Sequence, residues 1–117
     1  MNMDRDNPDA LNAWQQLADI ARLVLGGEIS VVEAVRAMSA LRYRTGRPDD
    51  ELFLPIIAIE SDTDHFPLGA VREHYDATYM QRLDAELQAY LADVEEECML
   101  LCKEIGSRAG LVLVFIP

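Results

Sequence analysis

The sequence predicts an all-α protein: a compact bundle of about four helices with one long C-terminal helix and an extended apolar tail. Three observations predict this class. Apolar residues recur at three- and four-residue spacing, residues that cap helices precede these stretches, and glycines follow them. The chain of 117 residues is expected to form a single helical domain over 1–117, which would bury about two-thirds of the surface of the unfolded chain.

The first helix is predicted over residues 9–25. Residues 1–7 are polar and are expected to be frayed, whereas Asn7 or Asp9 can cap the helix that follows. Two consecutive glycines then close this helix, because glycine readily adopts the left-handed conformation at a helix C-terminus.

The second helix is predicted over residues 31–43 from a capping box. Ser30 and Glu33 have the spacing at which the two side chains satisfy each other's backbone N–H groups, and Ile29 precedes them as a hydrophobic staple. The turn between the first two helices is short, so they should pack as antiparallel neighbours.

Residues 52–59, LFLPIIAI, fit either a short helix or a strand. Periodicity alone does not separate the two for so short an apolar run. Asp50 as a cap and Pro55 near a first helical turn favour a buried helix, which is the prediction. A strand at 56–59 is the alternative.

The longest helix is predicted over residues 79–105, with Asp76 or Thr78 as its cap and Gly106 as its stop. Its apolar residues alternate at three- and four-residue spacing, which is typical of a coiled-coil seam and also of packing inside a bundle. For a chain of this length, packing inside a bundle is the prediction. The seam consists of Met80, Leu83, Leu87, Tyr90, Leu91, Val94, Cys98, Leu101 and Ile105.

The last residues depart from the helical pattern. The stretch 111–116 is uninterrupted, apolar and rich in β-branched residues, which favours an extended tail over 107–117. If this tail pairs with 56–59, the fold becomes α+β with a minimal two-stranded sheet. Otherwise the tail packs on the helices or on a second copy. The apolar surface of the long helix and of this tail together favours a homodimer, which is expected.

The charge balance limits the partners. Ten Lys and Arg against 21 Asp and Glu give a net charge of −11, which repels nucleic acid and anionic membranes and attracts basic proteins. No stretch approaches the ~20 apolar residues of a membrane span, so a cytoplasmic protein is expected. Cys98 and Cys102 lie one helical turn apart on the apolar face and suit a reducing compartment as small core residues. No metal or cofactor is predicted.

The densest group of polar residues lies at 59–72, between an apolar run and the long helix. Serine, threonine and aspartate side chains at such a junction typically bond to free backbone N–H groups, so a structural role is one interpretation. Arg72 would then return to pair with Asp62 or Asp64. The junction residues are Glu60, Ser61, Asp62, Thr63, Asp64, His65 and Arg72.

A catalytic or metal-binding interpretation of the junction centres on Asp62, Asp64 and His65. Crowded carboxylates beside a histidine suit acid/base chemistry or a hard cation. An EF-hand loop counted from Asp62 fails, because Phe66 and Pro67 stand where an oxygen ligand and a glycine are required. No catalytic residue and no metal ligand is therefore predicted. A small metal-dependent or acid/base enzyme is the alternative function.

The stretch ESDTDHFPLGAVREHY resembles the signature of a family of small bacterial proteins, near S-E-T-D-H-L-P-x-G-x-x-R-x-x-W, that also have a helical tail with a late Cys. The resemblance covers about residues 50–105. This family has no assigned chemistry, so the resemblance implies only that the junction defines the fold. Matching residues are Ser61, Thr63, Asp64, His65, Pro67, Gly69 and Arg72, and conservative departures are Asp62, Phe66 and Tyr75.

The first function hypothesis is an acidic protein-interaction module, such as an immunity or antitoxin-like inhibitor of a basic protein. Small acidic proteins gain fast association with basic partners from electrostatic steering. A second acidic tract, Asp93 with 95–97, lies on the long helix, where a solvated face is the common meaning. The predicted partner-binding acidic face consists of Asp49, Asp50, Glu51, Glu60, Asp62 and Asp64.

Overall fold

The structure, a computed structural model, describes residues 7–114. No strand occurs within that range, so 52–59 is helical as predicted and the two-stranded alternative is not formed there. The all-α fold with one long C-terminal helix is confirmed. The α-helices are α1 (Pro8–Leu25), α2 (Val31–Arg42), α3 (Leu54–Thr63) and α4 (Ala77–Val114), and short 3-10 helices cover Tyr43–Thr45, Glu51–Phe53 and Gly69–His74.

The two N-terminal helices begin where the capping residues predict. Asn7 Oδ1 accepts a hydrogen bond from the N–H of Asp9 at 3.0 Å, and Ser30 Oγ accepts one from the N–H of Glu33 at 3.2 Å. α1 and α2 pack against each other, as the short turn between them requires. The rest of the segment predicted to be frayed, 1–6, lies outside the described residues.

The long helix α4 starts two residues earlier than predicted. Asp76 caps it, because its Oδ2 accepts a hydrogen bond from the N–H of Tyr79 at 3.0 Å, so the helix begins at Ala77. A helix of 38 residues is about 57 Å long. This length is close to the longest dimension of the molecule, 54 Å, so α4 spans the whole protein.

The extended tail predicted over 107–117 is wrong for 107–114, which form the last turns of α4. Ala109 and Val112 continue the apolar spacing of the preceding turns, and only 0% and 5% of their surfaces are exposed. The helical period therefore runs on through the stretch that looked like a strand. Residues 115–117 lie outside the described range.

Packing overrides the local signals at this end of α4. Gly106 and Gly110 are both helical and exposed, and a glycine inside a helix costs about 0.5–1 kcal/mol relative to alanine. Full burial of a side chain such as that of Val112 stabilises the fold by roughly 1.5–3 kcal/mol. Burial is the larger effect, so the helix continues through glycines that would otherwise end it.

The main core lies between α1 and the C-terminal half of α4, and α2 and α3 close it. Trp14 of α1 stacks on Phe53 with 5.7 Å between ring centroids, and both side chains are completely buried. In a smaller apolar cluster, Phe66 of the junction packs with Met80 and Leu83 in the N-terminal half of α4. Among the described residues, no helix combines the length and the apolarity that crossing a membrane requires.

Candidate functional site

The junction 59–72 begins in the last turns of α3 and ends in the 3-10 helix Gly69–His74. Thr63 is completely buried, and its hydroxyl donates a hydrogen bond to the carbonyl of Ile59 at 2.6 Å. Because neither ligand nor solvent reaches this side chain, Thr63 stabilises the end of α3 and belongs to the fold.

Arg36 of α2 holds the end of α3 in place. Its Nη2 donates to the carbonyls of Thr63 and Phe66, at 3.1 and 2.9 Å. The last carbonyls of a helix have no partner inside the helix, and a cation there also interacts favourably with the helix dipole. Sequence reasoning missed Arg36. The available signal was its place on the stripe that α2 buries, four residues after Val32 and three before Ser39.

The expected pairing of Arg72 with Asp62 or Asp64 is wrong. Arg72 Nη1 and Nη2 donate to the two carboxylate oxygens of Asp84 on α4, at 3.0 and 2.7 Å. Asp84 directly follows the buried Leu83, so it lies near the junction that packs on this part of α4. The hydrogen bonds between the two groups lower the pKa of Asp84 and raise the pKa of Arg72.

Asp62 contacts the middle of α4. Its Oδ2 accepts a hydrogen bond from the hydroxyl of Tyr90 at 2.8 Å. Partial burial and then this hydrogen bond raise the pKa of Tyr90 to about 12, and the negative charge of Glu97 acts in the same direction. Asp62 and Glu97 therefore lie near the same phenol. Tyr90 was predicted as a seam residue only.

Glu60, Ser61 and Asp64 face α2 instead. Glu60 and Asp64 are four residues apart and share one face of the chain, whereas Asp62 lies more than half a turn from each. The three residues line an open groove of about 440 Å³ between α2 and α3. One oxygen of Glu60, Oε2, is shielded from solvent and has no hydrogen-bond partner among the described residues. The opposite wall carries Arg36, Arg42 and Tyr43.

The structure therefore does not bring Asp62, Asp64 and His65 together. Asp62 bonds to Tyr90, Asp64 faces the groove, and His65 is exposed with its ring 4.0 Å from that of Phe66. Across residues 7–114, no group of three His, Cys, Asp or Glu side chains is placed to hold a metal ion. The catalytic interpretation has no assembled set of side chains at this position.

The predicted acidic face is likewise divided between two sides of the molecule. Glu60 and Asp64 line the groove between α2 and α3, whereas Asp49, Asp50 and Glu51 lie beside Glu104 of α4. The division follows from the position of α3 between the two groups, because Asp49, Asp50 and Glu51 precede this helix whereas Glu60 and Asp64 lie at its end.

Asp50 has a structural role within this group. Its carboxylate accepts hydrogen bonds from the N–H of Leu52 and from Nη1 of Arg108, both at 2.9 Å. The Leu52 N–H, and after it the Arg108 guanidinium, hold the pKa of Asp50 below its usual value against the opposing effect of burial. Asp50 therefore contributes less free charge to the surface than Asp49 and Glu51, which are exposed.

α4 carries a line of exposed carboxylates, here called the acidic stripe, which consists of Glu86, Asp93, Glu97 and Glu104. These residues are 7, 4 and 7 positions apart, close to whole turns of a helix with about 3.6 residues per turn. Their side chains therefore share one side of α4. Asp62 meets the stripe near Glu97, and Asp49 and Glu51 meet it at Glu104.

Two large apolar side chains are exposed on the same side of α4. Leu100 and Leu111 are 60% and 64% exposed. Leu100 lies seven residues after Asp93, and Leu111 lies seven residues after Glu104, so both fall on the line of the acidic stripe. Apolar residues set among charged ones are typical of a protein interface with a polar rim.

The cations of the described residues are mostly held in internal contacts. Arg36 and Arg42 donate to backbone carbonyls, and none of the ion pairs within 7–114 engages the acidic stripe. No carboxylate of the stripe therefore forms an ion pair with another described residue. Ion pairs between two described residues include Arg22–Asp19, Arg44–Asp9, Arg72–Asp84 and Arg108–Asp50.

Cys98 and Cys102 are free and buried, as predicted for small core residues. Burial raises the pKa of both thiols, that of Cys102 to about 11. Thiols that are this weakly acidic are poor nucleophiles at neutral pH, because the thiolate is the reactive form.

Comparisons with models of known protein families, with curated proteins and with solved structures each found no match. The family resemblance at the junction stays an expectation.

Proposed function

We propose that the protein is an acidic interaction module that binds a basic protein and blocks it, in the manner of an immunity or antitoxin-like inhibitor. The observation that carries this proposal is the acidic stripe. Its carboxylates are exposed on one side of a single helix, and the arginines that form ion pairs in the described residues pair elsewhere.

The charge of the chain supports fast capture of such a partner. A net charge of −11 on a small protein sets up a field that steers cationic surfaces towards it. Steering of this kind raises association rates by about 10- to 1,000-fold at low salt. The same field disfavours nucleic acid and anionic membranes as direct partners.

The packing of α4 against α1 also favours binding through the stripe. α4 packs on α1 along its C-terminal half, so the backbone that carries Glu97 and Glu104 is held in position before a partner arrives. A surface ordered in advance loses less conformational entropy on binding. Leu100 and Leu111 add exposed apolar area to the same side.

The proposed setting is the bacterial cytoplasm, where free thiols such as Cys98 and Cys102 stay reduced. The homodimer expected from the sequence stays a prediction. Two copies that met through the acidic stripe would place carboxylates against carboxylates, so a dimer would use another face.

The test compares two double variants with the same change in net charge. One variant neutralises part of the stripe with Glu86→Gln and Glu97→Gln. The control neutralises two exposed carboxylates elsewhere, with Glu33→Gln and Glu73→Gln. Each protein is immobilised, exposed to lysate of the source cells and analysed by mass spectrometry. Binding rates are then measured with the purified partner at rising salt.

The expected result is a basic protein that the wild type and the control retain and the stripe variant loses. Its association rate should fall steeply with salt, and its activity should fall when the wild type is added. Equal loss of binding in both variants would show that net charge acts without the stripe. Capture of no basic protein would contradict the proposed function.

A further inference from the structure

A cleft of about 310 Å³ opens between the turn that joins α1 to α2 and the middle of α4. Its apolar lining includes Val24 at the end of α1, Val31 at the start of α2, and Leu91, Ala92 and Met99 on α4. The volume lies at the lower end of the range of about 300–1,000 Å³ for ligand pockets. The cleft is separate from the junction and from the acidic stripe.

The cleft exists because α4 extends beyond the end of α1, the helix that packs on it. α1 ends at Leu25, close to where Val24 meets Cys98, and the N-terminal half of α4 continues beyond this point. Leu91 and Met99 are only half buried, and neither belongs to the two apolar clusters of the described residues. Leu91 was predicted as a seam residue, but the described residues cover its side chain only in part.

The rim of the cleft is acidic. Glu95 lines it, and no Lys or Arg is among its lining residues. Glu28 is exposed in the turn between Val24 and Val31, and Glu96 is exposed next to Glu95. An apolar centre with an anionic rim is complementary to an apolar side chain with cations on either side of it.

We infer that this cleft receives an apolar side chain presented by a basic helix of the partner protein. The inference rests on the proposed function for the charge of the partner. An amphipathic helix that inserts one anchor residue into a groove is a common mode of recognition. A second copy of this chain is a poor occupant, because at −11 it would bring more carboxylates to an acidic rim.

The cleft and the stripe should then control different rates. Long-range attraction by the stripe sets how fast the partner arrives, whereas burial of an anchor residue sets how slowly it leaves. A change confined to the cleft should raise the dissociation rate and leave the association rate nearly unchanged.

The experiment uses the full chain with ¹³C-labelled methionine methyl groups, titrated with synthetic peptides of leucine and lysine. The first peptide has all its leucines on one face when helical. The second has the same composition with the leucines distributed around the helix. The methyl group of Met99 reports on the cleft, and that of the buried Met80 serves as the internal control.

Two matched variants test the cleft: one fills it with a large side chain, and the other places the same side chain outside it. Ala92 and Ala89 are both exposed alanines on α4, but only Ala92 lines the cleft. Ala92→Trp should fill the cleft, whereas Ala89→Trp adds the same side chain one turn away. Melting temperatures confirm that both variants fold.

We expect the amphipathic peptide to shift the methyl resonance of Met99 and to leave that of Met80 unchanged. It should also bind at least tenfold more tightly than the scrambled peptide. Ala92→Trp should remove this preference by raising the dissociation rate at least tenfold, and Ala89→Trp should retain it. A different result would overturn the inference about the cleft but not the proposed function. In that case both peptides bind equally and in a salt-sensitive way, and Ala92→Trp leaves their binding unchanged. The methyl resonance of Met99 could instead shift with protein concentration in the absence of peptide, and this shift could be lost in Ala92→Trp. That result would show that a second copy occupies the cleft and would also overturn the inference.

Discussion

Asp50 and Arg108 are 58 residues apart in the sequence, yet they form an ion pair with 2.9 Å between Oδ2 and Nη1. Asp50 also accepts from the N–H of Leu52, so one carboxylate ties the entry to α3 to the last turns of α4. Arg108 occupies this position only because α4 continues beyond Gly106.

The continuation of α4 predicts that Gly106→Ala and Gly110→Ala each stabilise the protein by about 0.5–1 kcal/mol, because alanine loses less backbone entropy in a helix. Among the described residues, and apart from the neighbouring backbone of α4 itself, no atom lies within 4 Å of a Cβ atom at either position. Urea unfolding measures the change. Gly46→Ala is the opposite control, since Gly46 has a φ of +82° and alanine there should destabilise. Destabilisation by Gly106→Ala would show that the helix ends at that residue.

The hydrogen bonds that Asp50 accepts from the N–H of Leu52 and from Arg108 predict a pH dependence of stability. The pKa of Asp50 is lowered in the folded protein, so its stabilising effect is present above the unfolded-state value of about 3.9 and is lost as pH falls through the lowered value. Asp50→Asn should therefore destabilise most at neutral pH, and the difference from the wild type should shrink in acid. Thermal melts from neutral to acidic pH measure this. A difference that does not vary with pH would mean that the charge of Asp50 contributes nothing.

The contact of Arg36 with the end of α3 predicts that Arg36→Ala destabilises the fold by about 1.5–3 kcal/mol, the range for hydrogen bonds that involve a charged group. Arg36→Lys should destabilise less, because an ammonium group can still donate to the carbonyls of Thr63 and Phe66. Arg82→Ala is the control, because Arg82 is exposed and forms no hydrogen bond or ion pair with another described residue. Its guanidinium carbon lies 5.3 Å from the centroid of the Tyr79 ring. Similar losses for Arg36→Ala and Arg82→Ala would contradict the role of Arg36.

The buried thiols predict slow chemical modification. At pH 8 a thiol whose pKa is about 11, such as that of Cys102, is almost entirely protonated, and burial also blocks the reagent. Ellman's reagent should react slowly with both cysteines in the native protein and rapidly in urea. Fast reaction of one thiol in the native state would place that cysteine at the surface.

The separation of Asp62 from Asp64 and His65 predicts that metal ions do not stabilise the protein. Millimolar calcium, magnesium, manganese or zinc should leave the melting temperature nearly unchanged, because an ion that binds only the native state must raise it. A rise of several degrees with one ion, lost in both Asp62→Asn and Asp64→Asn, would restore the metal-dependent alternative.

Local sequence signals identified the residues that cap the helices, with Asn7 and Asp9, and Asp76 and Thr78, left as alternatives. Asn7, Ser30 and Asp76 cap their helices because a side-chain oxygen two or three residues before a free N–H satisfies it wherever the helix later packs. The periodic spacing of apolar residues on α1 and α4 likewise predicted most of the buried positions, because a helix repeats every ~3.6 residues in any fold. Leu91 of the predicted seam is only half buried. The all-α class, the long C-terminal helix and the density of polar groups at the junction all follow from such patterns.

The tertiary structure alone decided which residues meet across the chain. Arg72 pairs with Asp84 instead of Asp62, and Asp62 bonds to Tyr90, because the packing of the junction on α4 sets these distances. The last turns of α4 are helical because α1 provides a surface on which Ala109 is buried, and that gain exceeds the helix-breaking tendency of the neighbouring glycines. Contacts between residues distant in sequence depend on how the helices pack, and spacing along one element carries no information about the side chains that another element brings to it.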